Sequence, residues 1–157
     1  MKVISVKQPW AYLLCAAIKP FENRTWPLPE KYIGETILIH ASASDKINFG
    51  LLFSYDQLYT VVEKFGSLAE FRKLLHFGAI IGSLKFVDCG TNRDNIWAES
   101  NNDYSIGSLL ASKTIYNWQA SEAILFEKPI LDVKGHLSFW DYPMTYEEYL
   151  NIGKIGL

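Results

Sequence analysis

The sequence has little from which a metal centre is made. Its three histidines and two cysteines include no His-x-x-x-His or Cys-x-x-Cys spacing, so neither zinc nor any other cofactor is expected. Neither glycine-rich phosphate loop occurs, which argues against a mononucleotide kinase or a dinucleotide enzyme. There is no Gly-x-Ser-x-Gly elbow, so an ordinary serine hydrolase is not expected. No apolar run reaches the roughly 20 residues of a membrane span, and Lys7, Gln8 and Pro9 interrupt any signal-peptide layout. The expectation is a cytoplasmic protein with no membrane partner. Charge of one sign is also missing. The formal net charge is −2, which excludes a generic basic surface for nucleic acid.

What is present describes one compact domain over residues 1–157, with 49% hydrophobic and 20% charged residues. Cys15 and Cys89 lack framework spacing, and Cys15 lies in an apolar run, which suggests a reduced, buried thiol and a reducing compartment. Positive charge gathers early: residues 1–35 hold five Lys or Arg against three Asp or Glu, the remainder ten against fourteen. An anion site must therefore be a local focus of charge.

In chain order, Val3-Ile4-Ser5-Val6 reads as a strand. Gln8-Pro9-Trp10 starts a helix with Pro9 at its first position. Ala11 to Ile18 is apolar on almost every side, so this helix is expected to be buried, and Pro20 ends it at Lys19. Phe21 to Trp26 and Thr36 to His40 read as strands. Capping boxes at Ser54 with Gln57, Ser67 with Glu70 and Thr145 with Glu148 start three further helices. Ala79 to Val87 reads as a central strand with Ile80, Leu84 and Phe86 on one face. Residues 88–112 are rich in Gly, Asn, Asp and Ser and read as a long loop around Ile96-Trp97-Ala98. Tyr116 to Trp118, Ala123 to Phe126 and His136 to Trp140 complete the strands. The class is α+β, with five to seven short strands curled into a barrel and flanking helices.

The stretch Lys19-Pro20-Phe21-Glu22-Asn23-Arg24-Thr25-Trp26 sets two cations, a carboxylate and an indole together. If it is extended, Glu22, Arg24 and Trp26 share one face, and the long stem of Lys19 can reach the same side. That makes a polar pocket floor, or else an ordinary ion pair at a solvated edge. His40-Ala41-Ser42, leaving a strong strand, offers an imidazole and a hydroxyl for binding or proton relay. Trp10, Trp26, Trp97 and Trp118 present flat faces on which a base can stack.

Ser5 to Ala11, Lys19 to Trp26 and Ile37 to Ser42, with Gly78 to Gly82 and Tyr116 through Trp140, resemble the ASCH domain family of the PUA-like group. Its signature is Gly-x-Lys-x-x-Glu-x-Arg. Lys19, Glu22 and Arg24 fall on the three charged positions, while Ala17 stands where the family usually has glycine. The resemblance implies a PUA-like β-barrel with a cleft around those residues. It also implies a role in RNA binding or RNA metabolism. One branch of the family deacetylates acetylcytidine, and some members cleave RNA. In the amidohydrolase branch the motif lysine works with a threonine three residues later and a distant glutamate. Here the threonine position is Glu22, so that mechanism does not carry over intact.

Two functions follow. The first is a module that binds RNA, single-stranded nucleic acid or a modified nucleoside. Lys19 and Arg24 would meet phosphate or a base edge, Trp10 or Trp26 would stack, and Gln8, His40 and Ser42 would orient the ligand. The second is a small amide or phosphodiester hydrolase in the same cleft, with Lys19 as base and Glu22 as its partner or acid.

Overall fold

A computed structural model describes residues 1–101 and 113–155. Seven strands form one sheet: β1 (Lys2–Val6), β2 (Phe21–Arg24), β3 (Thr36–Ala41), β4 (Ala79–Gly90), β5 (Tyr116–Ile130), β6 (Phe139–Asp141) and β7 (Lys154–Ile155). Their order is β2-β5-β4-β3-β1-β6, with β7 on β5. β1 and β3 are parallel, and the other pairs are antiparallel. The helices are α1 (Trp10–Cys15), α2 (Phe49–Leu52), α3 (Tyr55–Phe65), α4 (Leu68–Arg72) and α5 (Tyr146–Leu150).

The sheet curls into a half-barrel around an apolar interior. Ile4, Val6, Ile37, Ile39, Leu84, Phe86 and Trp118 fill the concave side, and Ala11, Leu14 and Cys15 of α1 press onto them. The other side of α1 turns Leu13 into a second cluster with Phe49, Phe53, Val61, Phe71 and Trp97 under α2–α4. α1 is apolar all round because it lies between two cores. Outside the sheet, Val3, Leu38, Ile80 and Phe126 are covered by Tyr149 of α5.

Although the ladder ends at β2 and β6, the curl brings the ends together. Trp26, just past β2, meets Trp118 edge-on at 4.6 Å and Phe139 of β6 at 5.9 Å. Arg24 Nη2 donates to the Ser5 carbonyl of β1 at 2.8 Å. Side chains close the seam where backbone pairing stops.

Several elements differ from the sequence reading. Pro9 is the N-cap of α1, and the helix stops at Cys15, four residues before Lys19. The stop is a Schellman motif, with Ile18 N–H bonded to Leu13 O and Ala17 N–H to Leu14 O. Ala17 occupies its left-handed position at φ 58°. The capping boxes at Ser54 and Thr145 are complete. At Ser67 the hydroxyl accepts from Glu70 N–H, but the Glu70 carboxylate takes Lys73 instead. Ile80 does not share a face with Leu84 and Phe86: a bulge at Ile81, where Ile39 pairs Gly82 and His40 pairs Ile80, switches faces. The two strands expected over 116–126 are one long β5, and the strand expected to begin at His136 begins at Phe139. Of the expected 88–112 loop, 88–90 belongs to β4 and 102–112 lies outside the described residues.

Candidate functional site

The Schellman turn delivers Lys19 to the foot of β2 with its ammonium facing inward. Lys19 is 3% exposed. Its Nζ donates to the Phe21 carbonyl and lies 3.4 Å from Glu22 Oε2. The other Glu22 oxygen accepts from Arg24 Nε at 3.0 Å. The three signature charges therefore form one line, in which a buried carboxylate bridges two cations. Such a pair survives burial because the carboxylate keeps partners on both oxygens. Burial lowers the Lys19 pKa from its ordinary value and Arg24 adds to that, while Glu22 and the more distant Glu99 oppose it.

Lys19 and Glu22 open onto a cavity of about 520 Å³ with Trp10, Asn23, Leu52, Ser54, Gln57, Ile96, Trp97, Ala98 and Glu99 on its walls. The Trp10 ring lies 5.7 Å from Lys19 Nζ, and Trp97 stands edge-on to it at 6.4 Å. Among the described residues Lys19 Nζ has two acceptors in reach, so one of its three donors remains for a ligand. The lining offers one cation against two carboxylates, with amides at Asn23 and Gln57.

Other residues singled out from sequence sit elsewhere. Arg24 spans Glu22 and the Ser5 carbonyl and does not line the cavity. Trp26 is committed to the seam with Trp118 and Phe139. Gln8 donates to the His76 carbonyl and accepts from Tyr12 N–H, tying α1 to the end of the α4 segment. His40 and Ser42 line a separate concavity of about 440 Å³ with Ser5, Lys134, Gly135 and His136. There His40 is 1% exposed. Its Nε2 lies 2.7 Å from the Val133 carbonyl, which can only accept, so that nitrogen carries hydrogen. Nδ1 then accepts from Ser5 Oγ at 3.0 Å. Both ring nitrogens are used within the protein, and burial lowers the His40 pKa, with His136 adding to that.

Asn23, Gln57, Glu99 and Trp97 complete the wall. Trp97 was legible as a flat face and Gln57 as a capping residue. Strand alternation points away from Asn23, because it places this residue opposite Glu22. Glu99 carries no local signal: only long-range hydrogen bonds bring it to β2. Among the described residues, no cluster of His, Cys, Asp or Glu suited to a metal is present, and no helix is long and apolar enough to cross a membrane.

The α+β fold is similar to that of solved ASCH structures. The crystal structure of an ASCH protein from Zymomonas mobilis superposes with a TM-score of 0.59 at 12% identity, covering 99% of this chain and 97% of that one. A single-substitution variant of that protein gives 0.54 at 13% identity over 95% and 93% of the two chains. No protein-family model matches the sequence, and no curated protein is significantly similar to it.

Proposed function

We propose that the Lys19 cavity binds a nucleobase, either of a free or modified nucleoside or of an unstacked base in single-stranded RNA. The observation that carries this reading is the cavity itself. About 520 Å³ is within the usual range for a small-molecule site. Its walls offer a stacking surface at Trp10 and Trp97, an inward donor at Lys19, and acceptors at the Glu99 carboxylate and the Gln57 amide oxygen. Keto and amino groups on one base edge match that pattern. Phosphate does not suit the interior, where two carboxylates face a single paired lysine, so any sugar–phosphate stays at the mouth. The test is titration of cytidine, guanosine, their acylated forms and short single-stranded RNAs at low salt, followed by tryptophan fluorescence. Binding is expected in the parent and is expected to be lost in Lys19→Ala and weakened about tenfold in Trp97→Ala, since base stacking contributes roughly 1–3 kcal/mol. No binding at millimolar ligand would remove the proposal.

A hydrolase reading is favoured by one specific arrangement: a lysine with lowered pKa between Glu22 and a second carboxylate, Glu99, in the same cavity. A lysine shifted this way holds more of its neutral, proton-accepting form near neutral pH, and a nearby carboxyl group can return a proton to a leaving amine. Glu99 is then the second carboxylate within reach of the reaction, although Glu22 stands where the amidohydrolase branch has a threonine. An assay on acylated cytidines and RNA compares the parent with Lys19→Ala and Glu22→Gln. Turnover that survives both excludes this site as a catalyst.

A further inference from the structure

One wall of the cavity is a strap, residues 95–99, that belongs to no helix or strand. A pair of side-chain amides ties it to the sheet. Asn23 Nδ2 donates to the Trp97 carbonyl at 3.0 Å, and Asn23 Oδ1 accepts from Glu99 N–H at 3.0 Å. Asn117, in β5 and fully buried, donates from one Nδ2 to Asn23 Oδ1 at 2.9 Å and to the Glu99 carbonyl at 3.0 Å. Its Oδ1 takes Arg93 N–H at 3.1 Å. Asn23 and Asn117 are register partners on β2 and β5, so the sheet itself presents the pair. Both backbone groups of Glu99 are therefore held by β2 and β5 rather than by the strap's own turn.

We propose that the Asn23–Asn117 amide pair is a latch that sets the strap, and that Asn117 is a positioning residue for the cavity although it does not line it. A buried asparagine with every donor and acceptor filled resists replacement, because no other residue type supplies the same fork without leaving groups unpaired. With the latch broken, the strap's hydrogen bonds among the described residues are the Gln57 Nε2 bond to the Ile96 carbonyl, at 2.6 Å, the Asn95 side-chain bond to Trp97 N–H, and two short-range backbone bonds, Asn95 N–H to Arg93 O and Ala98 N–H to Asn95 O. The Trp97 ring would stay packed against Trp10 and Phe53, while the Trp97 and Glu99 backbone, and with it the Glu99 carboxylate, would lose its fixed place opposite Lys19. The ligand-binding consequence rests on the nucleobase reading above; the latch itself does not.

Backbone hydrogen exchange of the full chain separates the two. In Asn117→Ser, exchange of the Trp97 and Glu99 amides, whose own acceptors are untouched, is expected to rise at least tenfold while Ile37–Ile39 in β3 stay protected. Asn23→Asp, which keeps the acceptor for Glu99 but loses the donor to Trp97, is expected to free Trp97 selectively. It serves if Asn117→Ser does not fold. In a parent that binds guanosine or cytidine, Asn117→Ser is expected to weaken that binding at least fivefold with the urea midpoint of β3 unfolding little changed. Unchanged protection of Trp97 and Glu99 in every variant that folds would overturn the latch. Absence of nucleoside binding in the parent, with the exchange changes present, would overturn only the function.

Discussion

Glu22 is the residue on which the site's electrostatics turn. It separates two cations, is itself buried, and gives one oxygen to each. Glu22→Gln removes the charge but keeps the shape, leaving Lys19 buried beside Arg24 with only the more distant Glu99 as counter-charge. Breaking a buried ion pair from one side costs about 3 kcal/mol or more, so the urea midpoint is expected to fall by that equivalent. Replacing Lys19 and Glu22 together by Met and Leu is expected to cost less than Glu22→Gln alone. An equal or larger loss in the double variant would sink this account.

His40 makes the second residue-scale case. Its imidazole is neutral in the fold, with its pKa lowered from 6.5 by burial and by His136. The unfolded chain therefore binds a proton at higher pH than the folded one. Stability rises with pH wherever the unfolded state holds more protons. The contribution is present above about pH 6.5 and is lost as pH falls toward the folded value. The groups facing the ring are Ser5, Trp140, the Val133 carbonyl and His136. Denaturant melts between pH 7.5 and 5 are expected to show a steeper acid loss in the parent than in His40→Asn. Parallel curves would show that another group titrates.

At the scale of elements, two backbone positions decide how α1 meets the sheet. Ala17 holds a left-handed conformation that costs an L-residue about 1–2 kcal/mol and glycine almost nothing. Against glycine's greater unfolded entropy, roughly 0.5–1 kcal/mol, Ala17→Gly is expected to leave the thermal midpoint unchanged or raise it slightly, and a fall would show that Ala17 packs usefully. Gly82 is the reverse case. A Cβ there would run into the Ile124 carbonyl and come within 2.8 Å of Cys15 Sγ. Gly82→Ala is expected to destabilise strongly, because the obstacle is backbone on one side and a fully buried thiol on the other.

These positions also show what the sequence makes legible. Periodicity and capping residues brought out β1, β3, α3 and α5, because those signals are local. The spacing of Lys19, Glu22 and Arg24 brought out the ion line, because alternation on one short strand puts Glu22 and Arg24 side by side. The bulge at Ile81 leaves no local signal because it depends on how β4 pairs with β3 rather than on any residue in it. Alternation points Arg24 and Trp26 toward a ligand, yet the curl of the sheet turns both into the seam. Glu99 and Asn117 reach β2 only through contacts 76 and 94 residues apart in sequence, beyond any local pattern.

For the whole molecule, charge bears on the kind of nucleic acid that would fit. The chain carries a formal −2, Arg24 is engaged inside the fold, and one paired lysine faces the cavity. A protein that neutralises many phosphates loses affinity steeply with salt, by about 0.7 log units per log unit of salt for each single-strand contact. If the ligand is held by its base, with one phosphate or none engaged, raising salt roughly fourfold should weaken binding of a short single-stranded RNA by no more than about threefold. A free nucleoside should show almost no change. Titrations of both ligands across that range distinguish the cases. A loss of tenfold or more for RNA, with nucleoside binding unaffected, would mean that a charged track outside the cavity carries the affinity, and would move the search for the RNA surface away from Lys19.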